Sequence, residues 1–68
     1  MPERLANGLK ERRTELGLTQ SQLAERCAVS RKTINTVENG IFIPSTLLAL
    51  KLAAALERSV EELFWVEA

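Results

Sequence analysis

The sequence contains no histidine, no aspartate and no tyrosine, and it has a single cysteine, Cys27. Without histidine and aspartate, one chain cannot build a Ser-His-Asp or Cys-His catalytic group. One cysteine excludes an internal disulfide, and the missing histidine excludes a cysteine-histidine zinc site. The glutamates are scattered over predicted solvent-exposed helix faces, apart from the adjacent Glu61 and Glu62. We therefore expect no enzymatic activity and no metal site.

Long apolar runs are absent as well. No run of 18 apolar residues occurs, and residues 1–4 lack the charged-then-apolar pattern of a signal peptide, so we expect a cytoplasmic protein without membrane contact. The 68 residues, 46% of them apolar, are enough for one small domain, 1–68. A chain of this length buries only a small core. Because disulfides and zinc are excluded, dimerisation is the remaining source of added stability.

Charge is balanced overall but unevenly distributed. The net charge is zero, yet residues 1–36 carry seven basic against four acidic residues and residues 37–68 carry two against five. A molecule with one basic end can present that end to phosphates while its acidic end stays away. Chance also produces such asymmetries, so the charge distribution is compatible with a nucleic-acid partner but does not establish one.

Residues typical of helix starts and ends divide the chain into five segments. Capping boxes or single N-cap hydroxyls mark four helix starts, at Thr19 with Gln22, Ser30, Ser45 and Ser59 with Glu62. Apolar residues at helical spacing predict a first helix from Leu5 to Leu16, and Gly17 and Asn39-Gly40 are typical helix ends. No alternating strand longer than three residues is present. The sequence predicts an all-α fold, with residues 65–68 either helical or extended.

Three apolar features carry expectations about burial. Leucines and alanines at 47–56 cover more than one face of helix 4, which predicts a central, buried helix. In the loop Ile41-Phe42-Ile43 we expect Phe42 to be buried and at least one isoleucine to be exposed. Cys27 is expected in the core, with a redox-sensing thiol as the alternative.

Helices 2 and 3 are joined by only Ala28-Val29-Ser30. So short a connection makes helix 3 cross helix 2 at a steep angle, with Val29 between them. The outward side of helix 3 then presents donors, acceptors and methyl groups but no acid, from Ser30, Arg31, Lys32, Thr33, Asn35 and Thr36. Such a face suits the DNA major groove, where Arg and Lys reach guanine, Asn bonds adenine and a Thr methyl touches thymine. It equally suits an ordinary solvated helix, and composition alone does not decide.

The spacing Gln20-x-x-x-Ala24-x-x-x-x-Val29-Ser30-x-x-Thr33-Ile34-x-x-x-Glu38-Asn39-Gly40 resembles the helix-turn-helix of lambda-repressor-like, or XRE-type, transcriptional regulators. Pro44-Ser45, the leucine-rich helix and the segment from Ser59 to Phe64 are also similar to that family. The resemblance covers residues 5–64 and is greatest to minimal bacterial regulators with a single domain. It implies a five-helix domain, with the helix-turn-helix at about 20–39, that binds a palindromic operator as a homodimer and needs no cofactor. It also implies that the protein is more often a repressor than an activator.

The resemblance also implies roles for single residues. At the start of helix 2 the family binds a phosphate, and the matching residues are Thr19 and Gln20; helix N-termini attract anions in general. The family's base-facing positions correspond to Arg31, Lys32, Thr33 and Thr36, with Asn35 beside them, and we favour Arg31 and Lys32 for contacts to base edges. The loop after helix 3 is apolar here where the family is often polar or basic. Any phosphate contact from this loop is therefore expected from backbone amides, Asn39, Ser45 or Thr46.

Arg13 and Glu38 match a family pair that joins helix 1 to the end of helix 3. A glutamate near a helix C-terminus opposes the macrodipole and should seek a cation, and Arg13 is the candidate. The alternative is that Arg13 points to water. Ala28 stands where the family often has glycine, which predicts strain of about 1 kcal/mol from a left-handed backbone.

The C-terminal segment 59–68 is predicted to mediate dimerisation through Phe64, Trp65 and Val66, because large aromatic side chains are enriched at interface centres. The alternative for Trp65 is a lid on the core of its own domain. The alternative function for the whole chain is a protein-binding adaptor or antitoxin-like module with the same fold.

Overall fold

Five helices and two short strands make up the computed structural model, which describes residues 2–68; residue 1 of the predicted domain 1–68 lies outside the described part. The order is β1 (Arg4–Asn7), α1 (Leu9–Glu15), α2 (Gln20–Arg26), α3 (Arg31–Glu38), α4 (Thr46–Leu56), α5 (Val60–Leu63) and β2 (Phe64–Glu67). Helices α2 to α5 start where the sequence predicts. Each N-cap hydroxyl accepts a hydrogen bond from the third helical residue, and both predicted capping boxes are complete.

The all-α prediction is only approximate, because the two ends of the described chain pair as antiparallel strands. Arg4 lies opposite Glu67, and Asn7 lies opposite Phe64. Residues 5–7, predicted as the start of helix 1, thus belong to β1, and of the residues 65–68 that the sequence left open, 65–67 extend β2. The Gly8 N–H donates to the Leu63 carbonyl at 2.9 Å, which extends this pairing and delays the helix to Leu9.

The core lies between the helices and is made of side chains that the apolar spacing predicts. Its largest fully buried members are Leu9, Leu23, Ile34, Leu52, Leu56, Leu63, Val37 and Cys27. Helix α4 contributes Leu48, Leu52 and Leu56, which are spaced four residues apart and share one face of the helix. Leu47 and Leu50 are 63% and 56% exposed. The prediction of a central, buried helix is therefore wrong for the side of α4 that carries Leu47 and Leu50, although α2 and α5 pack on this helix. None of the helices within residues 2–68 has the length and apolar character needed to span a bilayer.

The prediction that Phe42 is buried is also wrong. Phe42 is 48% exposed, because the Ile41 and Phe42 N–H groups both donate to the Thr36 carbonyl and hold this loop along the surface of α3. Phe64, predicted for the dimer surface, is only 7% exposed and packs in the core of its own domain. Its neighbours Trp65 and Val66 remain exposed.

Candidate nucleic-acid interface

The turn between α2 and α3 is fixed by backbone hydrogen bonds. The Val29 N–H donates to the Ala24 carbonyl at 3.0 Å and the Ala28 N–H to the Glu25 carbonyl at 3.1 Å, the two bonds of a Schellman motif. This motif requires a left-handed residue after the helix, and Ala28 takes that place with φ of 56°. Val29 packs against the core, as the sequence predicts for the residue between the two helices.

Replacing Ala28 with glycine should raise the free energy of unfolding. The left-handed backbone costs an L-residue roughly 1–2 kcal/mol, and the larger entropy of glycine in the unfolded chain offsets about 0.4–1 kcal/mol of that gain. We expect a net stabilisation of about 0.5–1 kcal/mol in urea unfolding. The matched control is Ala54→Gly, at an exposed helical position of α4, which should be destabilising by up to about 1 kcal/mol. If Ala28→Gly and Ala54→Gly lower the free energy of unfolding by similar amounts, the Ala28 backbone is not strained.

The exposed face of α3 carries cations that the protein itself does not use. Ile34 and Val37 are buried, so Arg31, Lys32 and Asn35 face outward from the same helix. The side chains of Arg31 and Lys32 have no hydrogen bond or ion pair to another residue within 2–68. Their charges are therefore free to bind an external anion or base edge.

Unlike Arg31 and Lys32, the two threonines of this face form side-chain hydrogen bonds within the protein. Thr33 shares a hydrogen bond with the Ser30 hydroxyl at 2.9 Å, and the Thr36 hydroxyl donates to the Thr33 carbonyl at 3.0 Å. Each hydroxyl thus has a partner within the protein, and both threonines are partly buried. The Asn35 amide oxygen accepts from the Asn39 amide nitrogen at 3.3 Å, which joins two other predicted DNA-binding residues to each other.

A groove next to this face brings the start of α2 close to α3. Thr19, Gln20 and Arg31 line it together with Arg13, and its volume is about 440 Å³. The Thr19 N–H and hydroxyl are engaged in the capping box. The N–H groups of Gln20 and Ser21 have no acceptor within residues 2–68, as expected for the first turn of a helix. The groove therefore offers two amides and one free guanidinium to an anion.

Ser45, the last predicted DNA-binding residue, is exposed and caps α4, where its hydroxyl accepts from the Leu48 N–H at 3.1 Å. It does not line the groove between α2 and α3. A cavity shared with Thr33 and Phe42 instead places it on the α4 side of α3.

Helix α3 is held in place by the ion pair that the sequence predicts. Arg13 Nε lies 2.7 Å from Glu38 Oε2, and a second guanidinium nitrogen lies 3.2 Å from Oε1. Gln20 Nε2 donates to the same carboxylate at 3.1 Å, so the side chain predicted to bind a phosphate is committed here to Glu38. The side chains of Arg13 and Glu38 are 12% and 3% exposed. One buried carboxylate thus joins α1, α2 and α3 and fixes the direction of α3.

Two further polar side chains hold helix ends, and the sequence analysis missed both. Asn7 Nδ2 donates to the Val37 carbonyl at 3.0 Å, at the end of α3, and Arg12 Nε donates to the Leu56 carbonyl at 2.8 Å, at the end of α4. Terminal helix carbonyls lack intrahelical partners, so these bonds satisfy them. Their partners are distant in sequence, and no local pattern could have indicated them.

Titratable groups outside α3 give no second site. Burial raises the pKa of the Cys27 thiol, against a smaller opposing effect of Lys51, so Cys27 is a neutral core residue. The backbone N–H of Ser59 lowers the pKa of Glu62, and the hydrogen bond from Arg4 lowers that of Glu67. Across residues 2–68, no three histidine, cysteine or acidic residues are grouped as metal ligands would be.

Comparison with known proteins agrees with this geometry. The profile of the helix-turn-helix family matches residues 9–63, and the chain belongs to this family, in its XRE-type branch. It is 40% identical over 63 residues to the HTH-type transcriptional regulator YgzD of Bacillus subtilis, covering 93% of this chain and 96% of that protein. It is 49% identical over 57 residues to a regulator of Methanothermobacter thermautotrophicus, covering 82% and 83%.

A solved structure gives the same result for the fold. The restriction-modification controller protein C.AhdI from Aeromonas hydrophila superimposes with a TM-score of 0.75 at 39% identity. The matched region is 79% of this chain and 82% of that protein. The helix-turn-helix thus has the same architecture in both.

Proposed function

We propose that the protein is a transcriptional regulator that binds specific DNA sequences with α3 in the major groove. The observation that carries this proposal is the pair of unengaged cations, Arg31 and Lys32, on the exposed face of a helix whose direction is fixed by a buried ion pair. Arg and Lys bonded to guanine are the commonest specific contacts in the major groove. The family membership and the regulators to which the chain is similar support the same function.

Phosphate contacts orient the protein in this proposal. The groove at the start of α2 supplies the free Gln20 and Ser21 amides next to Arg31, a geometry suited to one backbone phosphate. Asn39 at the C-terminal end of α3 and Ser45 on the α4 side of this helix remain candidates for a second contact. Phosphate contacts fix the position and orientation of the protein on the duplex, whereas the α3 side chains distinguish one base sequence from another.

The proposed regulator acts as a homodimer on a palindromic operator, and repression by blocking transcription is the proposed outcome. One exposed face on an eight-residue helix contacts only a few base pairs, so a second copy supplies the second half-site, about 34 Å along the duplex. The proposed contact surface consists of Trp65 and Val66, which are 44% and 64% exposed. Phe64 contributes by supporting the strand from the core.

The dimer predicts a change in sedimentation. A Trp65→Ala, Val66→Ser double variant should sediment as a 7.6 kDa species at concentrations where the unmodified protein is a dimer, because the apolar contact area is lost. Leu50→Ser, at an exposed apolar position of α4, is the matched control and should stay dimeric. If Leu50→Ser is monomeric and the double variant stays dimeric, the dimer interface lies on α4 instead. A monomeric unmodified protein would overturn the dimer itself.

Selection of duplexes from a random pool tests the proposed function most directly. The bound sequences should converge on two inverted half-sites whose centres are one helical turn apart. Failure to enrich any sequence would contradict sequence-specific binding. Enrichment of a single half-site would retain DNA binding and contradict the dimeric arrangement.

A second candidate function is a protein-binding adaptor. Ile43, Leu47 and Leu50 are all more than half exposed, and exposed apolar side chains of this size favour a protein partner. The DNA selection separates the two functions, because an adaptor enriches no sequence.

A further inference from the structure

An apolar cavity lies beside the proposed base-contacting face, and no role has been assigned to it. Its volume is about 310 Å³, and it is lined by Ser30, Lys32, Thr33, Thr36, Ile41 and Phe42. The Ile41 and Phe42 N–H groups bond the Thr36 carbonyl at 3.0 and 3.2 Å, which fastens the loop to the last turns of α3. Two large apolar side chains are therefore held next to the helix that we propose enters the major groove.

The lining of this cavity is mainly apolar. The hydroxyls of Thr33 and Thr36 each already have a partner, the Ser30 hydroxyl and the Thr33 carbonyl. The threonine methyl groups, the Phe42 ring and the Ile41 side chain supply the apolar surface, and Phe42 and Ile41 are 48% and 76% exposed. Lys32 lies at the rim, where its charge can reach a neighbouring guanine or phosphate.

We infer that this cavity binds the 5-methyl group of a pyrimidine, so that Phe42, with Thr33 and Thr36, makes the protein recognise thymine at one position of each half-site. In the major groove the methyl group is the one apolar feature of the base edges, and it distinguishes thymine from unmethylated cytosine. This inference rests on the proposed function, since it needs α3 in the major groove. It adds an apolar DNA contact from the loop after α3, whose side chains are apolar where the family often has a polar or basic residue.

Deoxyuridine replacement tests the inference, because uracil differs from thymine only by that methyl group. With the selected operator, each thymine is replaced in turn and binding is measured at fixed salt. Burial of one methyl group corresponds to about fourfold in affinity. We expect one thymine per half-site to show a loss of roughly this size, and replacement in both half-sites of a dimer operator to give about tenfold or more.

The protein variant locates the contact. Phe42→Ala should weaken binding to the thymine operator and bind the thymine and uracil duplexes equally at that position. Ile43→Ala is the matched control: Ile43 is 71% exposed in the same loop but does not line the cavity, so this variant should retain the discrimination. Thermal unfolding of both variants checks that the fold is kept.

A second arm distinguishes the two natural sources of the methyl group. A cytosine and a 5-methylcytosine are placed at the same position, and methylation should recover about fourfold in affinity if the cavity binds the methyl group itself. If methylation of this cytosine does not restore affinity, the cavity does not bind the methyl group itself, and the inference is overturned. Equal loss from uracil in the unmodified protein and in Phe42→Ala would overturn the cavity as its site. Neither result would affect the proposed function, which fails only if no operator is selected.

Discussion

Replacing Glu38 with alanine should lower the free energy of unfolding by about 3–5 kcal/mol, the usual cost of removing one partner from a buried ion pair. The Glu38 carboxylate accepts from two nitrogens of Arg13 and from Gln20, and its side chain is 3% exposed. Its removal leaves the Arg13 guanidinium with only the Leu18 carbonyl as a partner, at 12% exposure. Urea unfolding of the two proteins measures the difference.

The chain offers a matched control for this result. Arg4 and Glu67 also lie 2.7 Å apart, but their side chains are 76% and 41% exposed. Solvent screens an exposed pair, so Glu67→Ala should cost far less than Glu38→Ala although the distances are equal. Comparable losses from both variants would contradict the role of burial.

An Arg13→Ala, Glu38→Ala double variant completes the test. It should be less destabilised than the sum of the two single variants, because no unpaired charge remains buried. Because the pair sets the direction of α3, the double variant should also bind the operator more weakly even where it is fully folded. A double variant with unchanged affinity would show that α3 keeps its direction without the pair.

The parts of this fold that the sequence predicts are those determined by neighbouring residues. Thr19 with Gln22 and Ser59 with Glu62 form capping boxes through contacts three residues apart, so their local pattern is sufficient. The buried side of α3 follows from equally short spacings, whereas the left-handed turn at Ala28 was expected only from the resemblance to the family, because alanine itself gives no local signal for it. The helix-turn-helix, including the predicted residues on its exposed face, was therefore accessible from sequence.

The features that the sequence did not predict depend on partners far along the chain. Residues 4–7 have apolar spacing compatible with a helix, and only their pairing with β2 makes them a strand. Leu47 and Leu50 have the same composition as the buried leucines of α4, and the number of elements packed around α4 decides their exposure. Phe42 is a different case, because the N–H groups that hold its loop bond to the nearby Thr36 carbonyl, and its apolar character alone did not indicate that the side chain stays at the surface.

Removing both α3 cations, by Arg31→Ala with Lys32→Ala, should weaken operator binding by roughly 2–6 kcal/mol, about 1–3 kcal/mol for each base contact. Neither side chain has a partner within residues 2–68, so the free energy of unfolding should stay unchanged. Lys10→Ala with Arg58→Ala removes the same charge outside α3 and should weaken binding much less. Fluorescence anisotropy with labelled operator measures both variants.

The comparison between specific and unrelated duplexes shows whether these two residues contact bases. If they contact base edges, the α3 variant should lose affinity for the operator and little for an unrelated duplex, so that specificity falls. If they only neutralise phosphates, affinity falls equally for both duplexes and the dependence of binding on salt decreases by about one ion per residue. An equal fall would therefore assign α3 a positioning role and contradict its proposed recognition of bases. Because the formal net charge is zero, we expect weak non-specific binding, so the two outcomes should be well separated.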